Sequence, residues 1–183
     1  MAGVFVYMKQ LFIHIPKTAG QSIFSSLNDE WNYVEHAKHD PLFLLERNND
    51  TSQAFKFAVV RNPFRRTFSY YKHFNSVNGI ECKFDEFIDF IKNNVPFPKT
   101  KMIPYSQSFY CLNCNGDIGL DKIYKFENLH ELEEDLNIKI PHKNKGIYHE
   151  SEYFNSYNAF EKDFVRDYYA SDFDNFNYSL DFV

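Results

Sequence analysis

Short apolar runs alternate with stretches of helical spacing along this chain, and that alternation predicts an α/β fold. Leu11, Phe12, Ile13 and Ile15 form the first run, of the kind a parallel strand needs when both its faces are covered, and Pro16 stops it. His14 falls inside that run. Residues 55–60 predict a second strand, with Phe57, Val59 and Val60 apolar, and Phe64, Phe68 and Tyr71 then fall at i, i+4, i+7 of a helix. Phe84, Phe87, Ile88 and Ile91 mark a further helix, which Pro96 and Pro98 close off. Residues 105–110 and 123–126 read as strands or extended segments. Leu129, Leu132 and Leu136 make another helical stripe, and Phe160, Phe164 and Tyr168 predict a long final helix before an aromatic tail. With no internal repeat and no low-complexity linker, one domain over residues 1–183 is expected.

The chemistry concentrates where the first strand gives way to a helix, at Pro16-Lys17-Thr18-Ala19-Gly20-Gln21-Ser22. Gly20 would let the backbone approach a ligand, Gln21 and Ser22 would offer the N–H groups of a helix start to an anion, and Lys17 would add a mobile positive charge. The generic phosphate loop G-x-x-x-x-G-K-[ST] is a poor match. Aligned on Gly20 and Ser22, its first glycine would be Ile15 and its lysine Gln21, so the lysine has moved to the front of the turn.

Residues 55–71 repeat the strand, turn and helix logic. Arg61 sits at the strand's carboxyl end, Asn62 is a candidate N-cap, and Pro63 fits the first helical position, where its missing N–H costs nothing. A guanidinium at Arg61 offers a planar fork for phosphate oxygens, and the hydroxyl of Ser69 would donate from the helix. Arg65 reads as a solvated helix position with partial ion pairing, and Arg66 as either such a position or part of a local basic site.

Pro-Lys-Thr-x-Gly-x-Ser after a strand resembles the 5′-phosphosulfate loop of sulfotransferases that use PAPS, 3′-phosphoadenosine 5′-phosphosulfate. Arg61-Asn62-Pro63-x-x-Arg66-x-x-Ser69-x-Tyr71 is similar to that family's 3′-phosphate signature. Residues 124–129, Tyr-Lys-Phe-Glu-Asn-Leu, and residues 169–178, with Tyr169, Asp172, Phe173, Phe176 and Tyr178, resemble two further segments of family-2-type members, the group that includes carbohydrate 2-O-sulfotransferases. Both segments also read as core.

The resemblance implies a P-loop-like three-layer α/β domain, a short parallel sheet flanked by helices, with the donor at the strand carboxyl ends. It implies that Lys17, Thr18, Ala19, Gly20, Gln21 and Ser22 hold the 5′-phosphosulfate and that Arg61 and Ser69 hold the 3′-phosphate. It further implies that Lys17 stabilises the leaving group, and that the loop containing Lys145 and Gly146, which reads equally as a solvated basic loop, contributes to the donor site. Gln21 departs from the family pattern, in which Thr or Ser is frequent, and Ala19 stands where glycine is frequent, which is tolerable only if its φ is negative.

Transfer to a hydroxyl needs a base, and histidine titrates in the useful range. Of seven histidines, His36 and His39 lie in the segment before a helix led by Pro41, and His36 aligns best with the base of small bacterial relatives. His39, or a carboxylate such as Glu35 or Asp40, is the alternative, while His14 reads as a core residue.

Composition narrows the remaining classes. A net charge of −5 with no long basic run argues against a nucleic-acid binder, and heavy use of Phe (21) and Tyr (13) predicts aromatic core and cleft walls. No stretch is apolar enough to span a membrane, and the first strand starts too near Met1 for a signal peptide, so a cytoplasmic location is expected. That departs from the Golgi-anchored eukaryotic relatives and suggests a bacterial or viral form. Three cysteines fit a reducing compartment. Cys111-x-x-Cys114 lacks the second ligand pair that a structural zinc site needs, so no metal is expected. The expected partner is a hydroxyl acceptor, glycan-like or otherwise polyhydroxylated. A small ATP-dependent kinase and a catalytically inactive nucleotide- or glycan-binding module are the rival functions.

Overall fold

In the computed structural model, which describes residues 10–27, 39–100, 102–141 and 149–183, the chain divides into two compact units. One comprises residues 1–60 and 107–144, the other residues 61–106 and 145–183. The fold is the α/β arrangement expected of a sulfotransferase-like chain, a three-stranded parallel sheet flanked by helices.

The first unit is built on strands β1 (Gln10–Ile13), β2 (Phe55–Val60) and β3 (Lys122–Lys125), in the order β1-β2-β3. Phe12 lies opposite Phe57, and Val59 opposite Tyr124. These side chains point to one face, where they pack with Ile23, Leu132 and Ile140. The intervening Leu11, Ile13, Ala58 and Val60 point to the other face and are buried too. Burial on both sides is why the strands read as continuous apolar runs. The flanking helices are α1 (Gly20–Phe24), α2 (Leu42–Asn48), α5 (Gln107–Cys111) and α6 (Leu129–Leu136).

The second unit has a core of aromatic rings on helices α3 (Pro63–Asn78), α4 (Phe84–Lys92), α7 (Glu150–Ser156), α8 (Ala159–Tyr168) and α9 (Ala170–Asn175). Asn62 caps α3 by accepting from the N–H groups of Phe64 and Arg65, and Pro63 opens the helix, as the sequence predicts. Phe84, Phe87, Ile88 and Ile91 are all buried on α4.

Three local readings are corrected. Residues 107–111 form α5 and not a strand, because the aromatic run there packs as a helix with Phe109 edge-on to Phe43 of α2. The helix expected over residues 160–168 forms as α8 and a second short helix, α9, opens the tail, but the most buried face is Glu161, Val165 and Tyr169, leaving Phe160 54% exposed. β1 ends at Ile13, so His14 follows the strand instead of lying within it. The short strand read at Tyr33 and Val34 lies outside the described residues.

Candidate active site

The first unit carries the turn that sequence singled out. After β1, Ile15 and Pro16 are buried, and the chain reverses through Lys17 at φ 72° and Ala19 at φ 69°, both left-handed. Such conformations cost a non-glycine residue roughly 1–2 kcal/mol each and gather at functional sites. The condition set on Ala19, a negative φ, is therefore not met, and the frequent glycine at that position has a physical reason. Thr18 is fully buried and its hydroxyl donates to the Ile15 carbonyl at 2.8 Å. The side chain thus pins the turn, leaving Lys17 half-buried at its edge.

Helix α1 starts at Gly20 with Ala19 as a cap that makes no side-chain hydrogen bond. The first bonds of the helix run from the Ser22 and Ile23 N–H groups to the Ala19 carbonyl, 2.9 and 3.1 Å, so the amides of Gly20 and Gln21 precede them. Gln21 is exposed and Ser22 buried. Gly20 has a role other than ligand approach: a β-carbon built on it would fall inside the imidazole of His14.

His14 is 5% exposed, stacked on Phe12 and edge-on to Phe24. Its ring centroid is 4.4 Å from that of His39. The half-buried His39 places Nδ1 3.1 Å from the His14 backbone carbonyl oxygen. A carbonyl can only accept, so Nδ1 carries the proton in that bond and Nε2 is the ring's acceptor when the imidazole is neutral. Nε2 is thereby the nitrogen that would take up a proton, on a ring within the same unit as Lys17. His36, Glu35, Lys145 and Gly146 lie outside the described residues.

The second unit carries the other candidate residues. Arg61 is half-buried one residue before the Asn62 cap, and Ser69 is half-buried on α3. Arg65 makes the ion pair expected of its helix face, with Glu150 at 2.6 Å, and also lies over the Tyr153 ring at 3.9 Å. Arg66 is 1% exposed. Its guanidinium donates to the Tyr105 carbonyl (3.0 Å) and the Tyr70 hydroxyl (3.1 Å), with Asp172 at 4.0 Å. The solvated reading of Arg66 is thereby overturned. A signal for its partner was present in sequence: an Asp three residues after Tyr169, beside Phe173, sits on an apolar helix face where a carboxylate needs a counter-charge.

Cys111 is buried at the end of α5 and Cys114 exposed in the turn beyond it. Among the described residues no three His, Cys, Asp or Glu side chains gather as a metal site, and no helix is long and apolar enough to cross a membrane.

A model of the sulfotransferase family matches residues 7–179, nearly the whole chain. The chain belongs to the sulfotransferase family. The match supports the family-2 type, and residues 16–22 and 61–71 of this sulfotransferase both lie inside the matched region. No curated protein and no solved structure matches this sulfotransferase.

Proposed function

We propose that this sulfotransferase moves a sulfuryl group from PAPS to a hydroxyl of a carbohydrate or other polyhydroxylated acceptor. The reading rests above all on the strained turn that ends in Gly20. Left-handed Lys17 and Ala19 flank a buried, hydrogen-bonded Thr18, a backbone arrangement with a stability cost that an anion-holding turn would justify.

PAPS supplies an activated sulfuryl group whose bond to the 5′-phosphate oxygen breaks as the acceptor oxygen bonds to sulfur. Lys17 stabilises the negative charge that collects on that oxygen. Ala19, Gly20, Gln21 and Ser22 contribute amides or side-chain donors to the 5′-phosphosulfate, while Thr18 acts by holding the turn. Arg61 and Ser69 take the 3′-phosphate, for which a planar guanidinium and a helix-borne hydroxyl suit a dianion. The acceptor's proton goes to a histidine. His39 has the support of its hydrogen bond to the His14 carbonyl, which selects the accepting Nε2. His36 keeps its place by resemblance. The glycan preference draws on the likeness of residues 124–129 and 169–178 to the carbohydrate enzymes.

Two measurements test the reading. Calorimetry with adenosine 3′,5′-bisphosphate, ATP and ADP is expected to give tightest binding to the bisphosphate, and preference for ATP would sink the proposal in favour of a kinase. Transfer of labelled sulfate from PAPS to an acceptor panel is expected to fail in Lys17→Ala and to slow in His39→Ala or His36→Ala. Transfer unaffected by all three would refute the assigned roles.

A further inference from the structure

Arg66 and Asp172 are both ionisable, both essentially removed from water, and face one another across the second unit at 4.0 Å. Burying two charges is expensive, and an apolar pair of similar volume serves stability as well or better, so retention of an ion pair there calls for another reason. The surrounding hydrogen bonds supply one. Arg66 donates to the backbone carbonyl of Tyr105, and the Tyr169 hydroxyl, one turn before Asp172, donates to the carbonyl of Pro104 at 2.8 Å. The Arg66 guanidinium also lies over the Tyr70 ring, 5.0 Å from its centroid, and bonds its hydroxyl. These directional bonds tie the first turns of α3 to α9 and to residues 104–105. An apolar pair would fill the space without fixing azimuth or register.

Arg66 lies five residues after Arg61 and three before Ser69, so a rotation of α3 about its axis at Arg66 carries the Ser69 hydroxyl with it. We propose that the Arg66–Asp172 pair is a positioning device that sets the Ser69 hydroxyl and the start of α3 for recognition of a 3′-phosphate. Arg66 and Asp172 act through Ser69 and do not touch the nucleotide. This inference rests on the assignment of Ser69 to the 3′-phosphate made above. It also gives the Tyr169-x-x-Asp172 segment a function in nucleotide selection that its place in the core does not announce.

The test compares adenosine 3′,5′-bisphosphate with adenosine 5′-monophosphate, which lacks only the 3′-phosphate, by calorimetry on the full chain. Wild type is expected to prefer the bisphosphate; if it has no preference, the assignment of Arg61 and Ser69 fails and this inference with it. Given the preference, Asp172→Asn is expected to weaken bisphosphate binding by about tenfold while leaving monophosphate binding unchanged. Asp172→Glu, which restores the charge, should recover part of the loss. Because Asp172→Asn removes the carboxylate that faces the buried Arg66 and can unfold the chain, the double variant Arg66→Met with Asp172→Leu provides an apolar replacement expected to fold yet to lose the preference. A folded double variant with wild-type preference overturns the proposal. So does equal weakening of both nucleotides, or failure of every variant to fold, since each would make the pair a requirement of the fold alone.

Discussion

Gly20 and the imidazole of His14 meet so closely that no β-carbon fits between them. The relationship explains a glycine whose φ is not left-handed, since the positive values in the turn belong to Lys17 and Ala19. It also locks His14 among Phe12, Phe24 and His39, away from a role at the turn's surface. Gly20→Ala is therefore expected to destabilise by about 1–3 kcal/mol through overpacking. His14→Ala in the same chain should relieve much of that loss, giving a favourable coupling of about 0.5–3 kcal/mol in a double-mutant cycle. Urea unfolding of the four proteins measures it. Strictly additive effects would mean that the ring and the glycine do not compete for space.

Ala19 tests the strain directly. At φ 69° a β-carbon opposes the backbone, and removing it relieves the clash although it adds freedom to the unfolded chain. Ala19→Gly should raise stability by roughly 0.5–1 kcal/mol, read as an increase in the thermal midpoint. A lower midpoint would show that the unfolded-state entropy outweighs the strain.

The elements with strong periodicity were legible because one physical demand set each. β2 matches the apolar run at residues 55–60, α4 its four buried positions, and the start of α3 its Asn-Pro cap. What escaped was decided by contacts distant in sequence. Phe160, Phe164 and Tyr168 have a convincing spacing, yet the face that wins holds Glu161, Val165 and Tyr169, because Val165 and Tyr169 join the aromatic core and the Tyr169 hydroxyl donates to the distant Pro104 carbonyl. Residues 107–111 are rich in strand formers, but packing of α5 against α2 overrides that preference. At the candidate site, the spacing of Lys17, Gly20 and Ser22 marked the turn. The reason for its glycine was not visible, because His14 reads as just another inward strand residue.

Acid should act on the first unit through Glu46. Its carboxylate accepts from Lys56 Nζ at 2.9 Å and from the Cys114 N–H at 3.1 Å, linking α2 to β2 and to the turn beyond α5. Partial burial pushes the carboxyl up, but the bonds from Lys56 and Cys114 outweigh it and hold the group below its ordinary value of 4.5. A depressed folded pKa means that the stabilisation is complete above the unfolded value and is lost as pH falls through the folded one. Glu46→Gln should thus cost about 1 kcal/mol at pH 7, with the gap to wild type closing as the pH is taken below about 4. Urea midpoints at pH 7, 5 and 3 check this, and a gap that persists at pH 3 would assign the loss to packing instead of charge.

Lys17 and His39 make separable contributions if the proposed transfer is correct, because one relieves charge on the leaving oxygen and the other removes a proton from the acceptor. Lys17→Ala should lower kcat by about 10²- to 10³-fold at every pH, the loss expected when a donor to developing negative charge is removed. Lys17→Arg is expected to recover only part of it, since the broader guanidinium must fit a position already at φ 72°. His39→Gln should lower kcat by about 10²- to 10⁴-fold, and in addition abolish the acidic limb of the pH–rate profile, because the group whose protonation stops the reaction is gone. The hydrogen bond from Nδ1 to the His14 carbonyl makes the distinction sharper: the amide of Gln can still donate to that carbonyl, but its oxygen cannot carry off a proton near neutrality. Initial rates between pH 5 and 9 with saturating PAPS decide it. An acidic limb that survives in His39→Gln transfers the role of base to another group, with His36 the next to substitute.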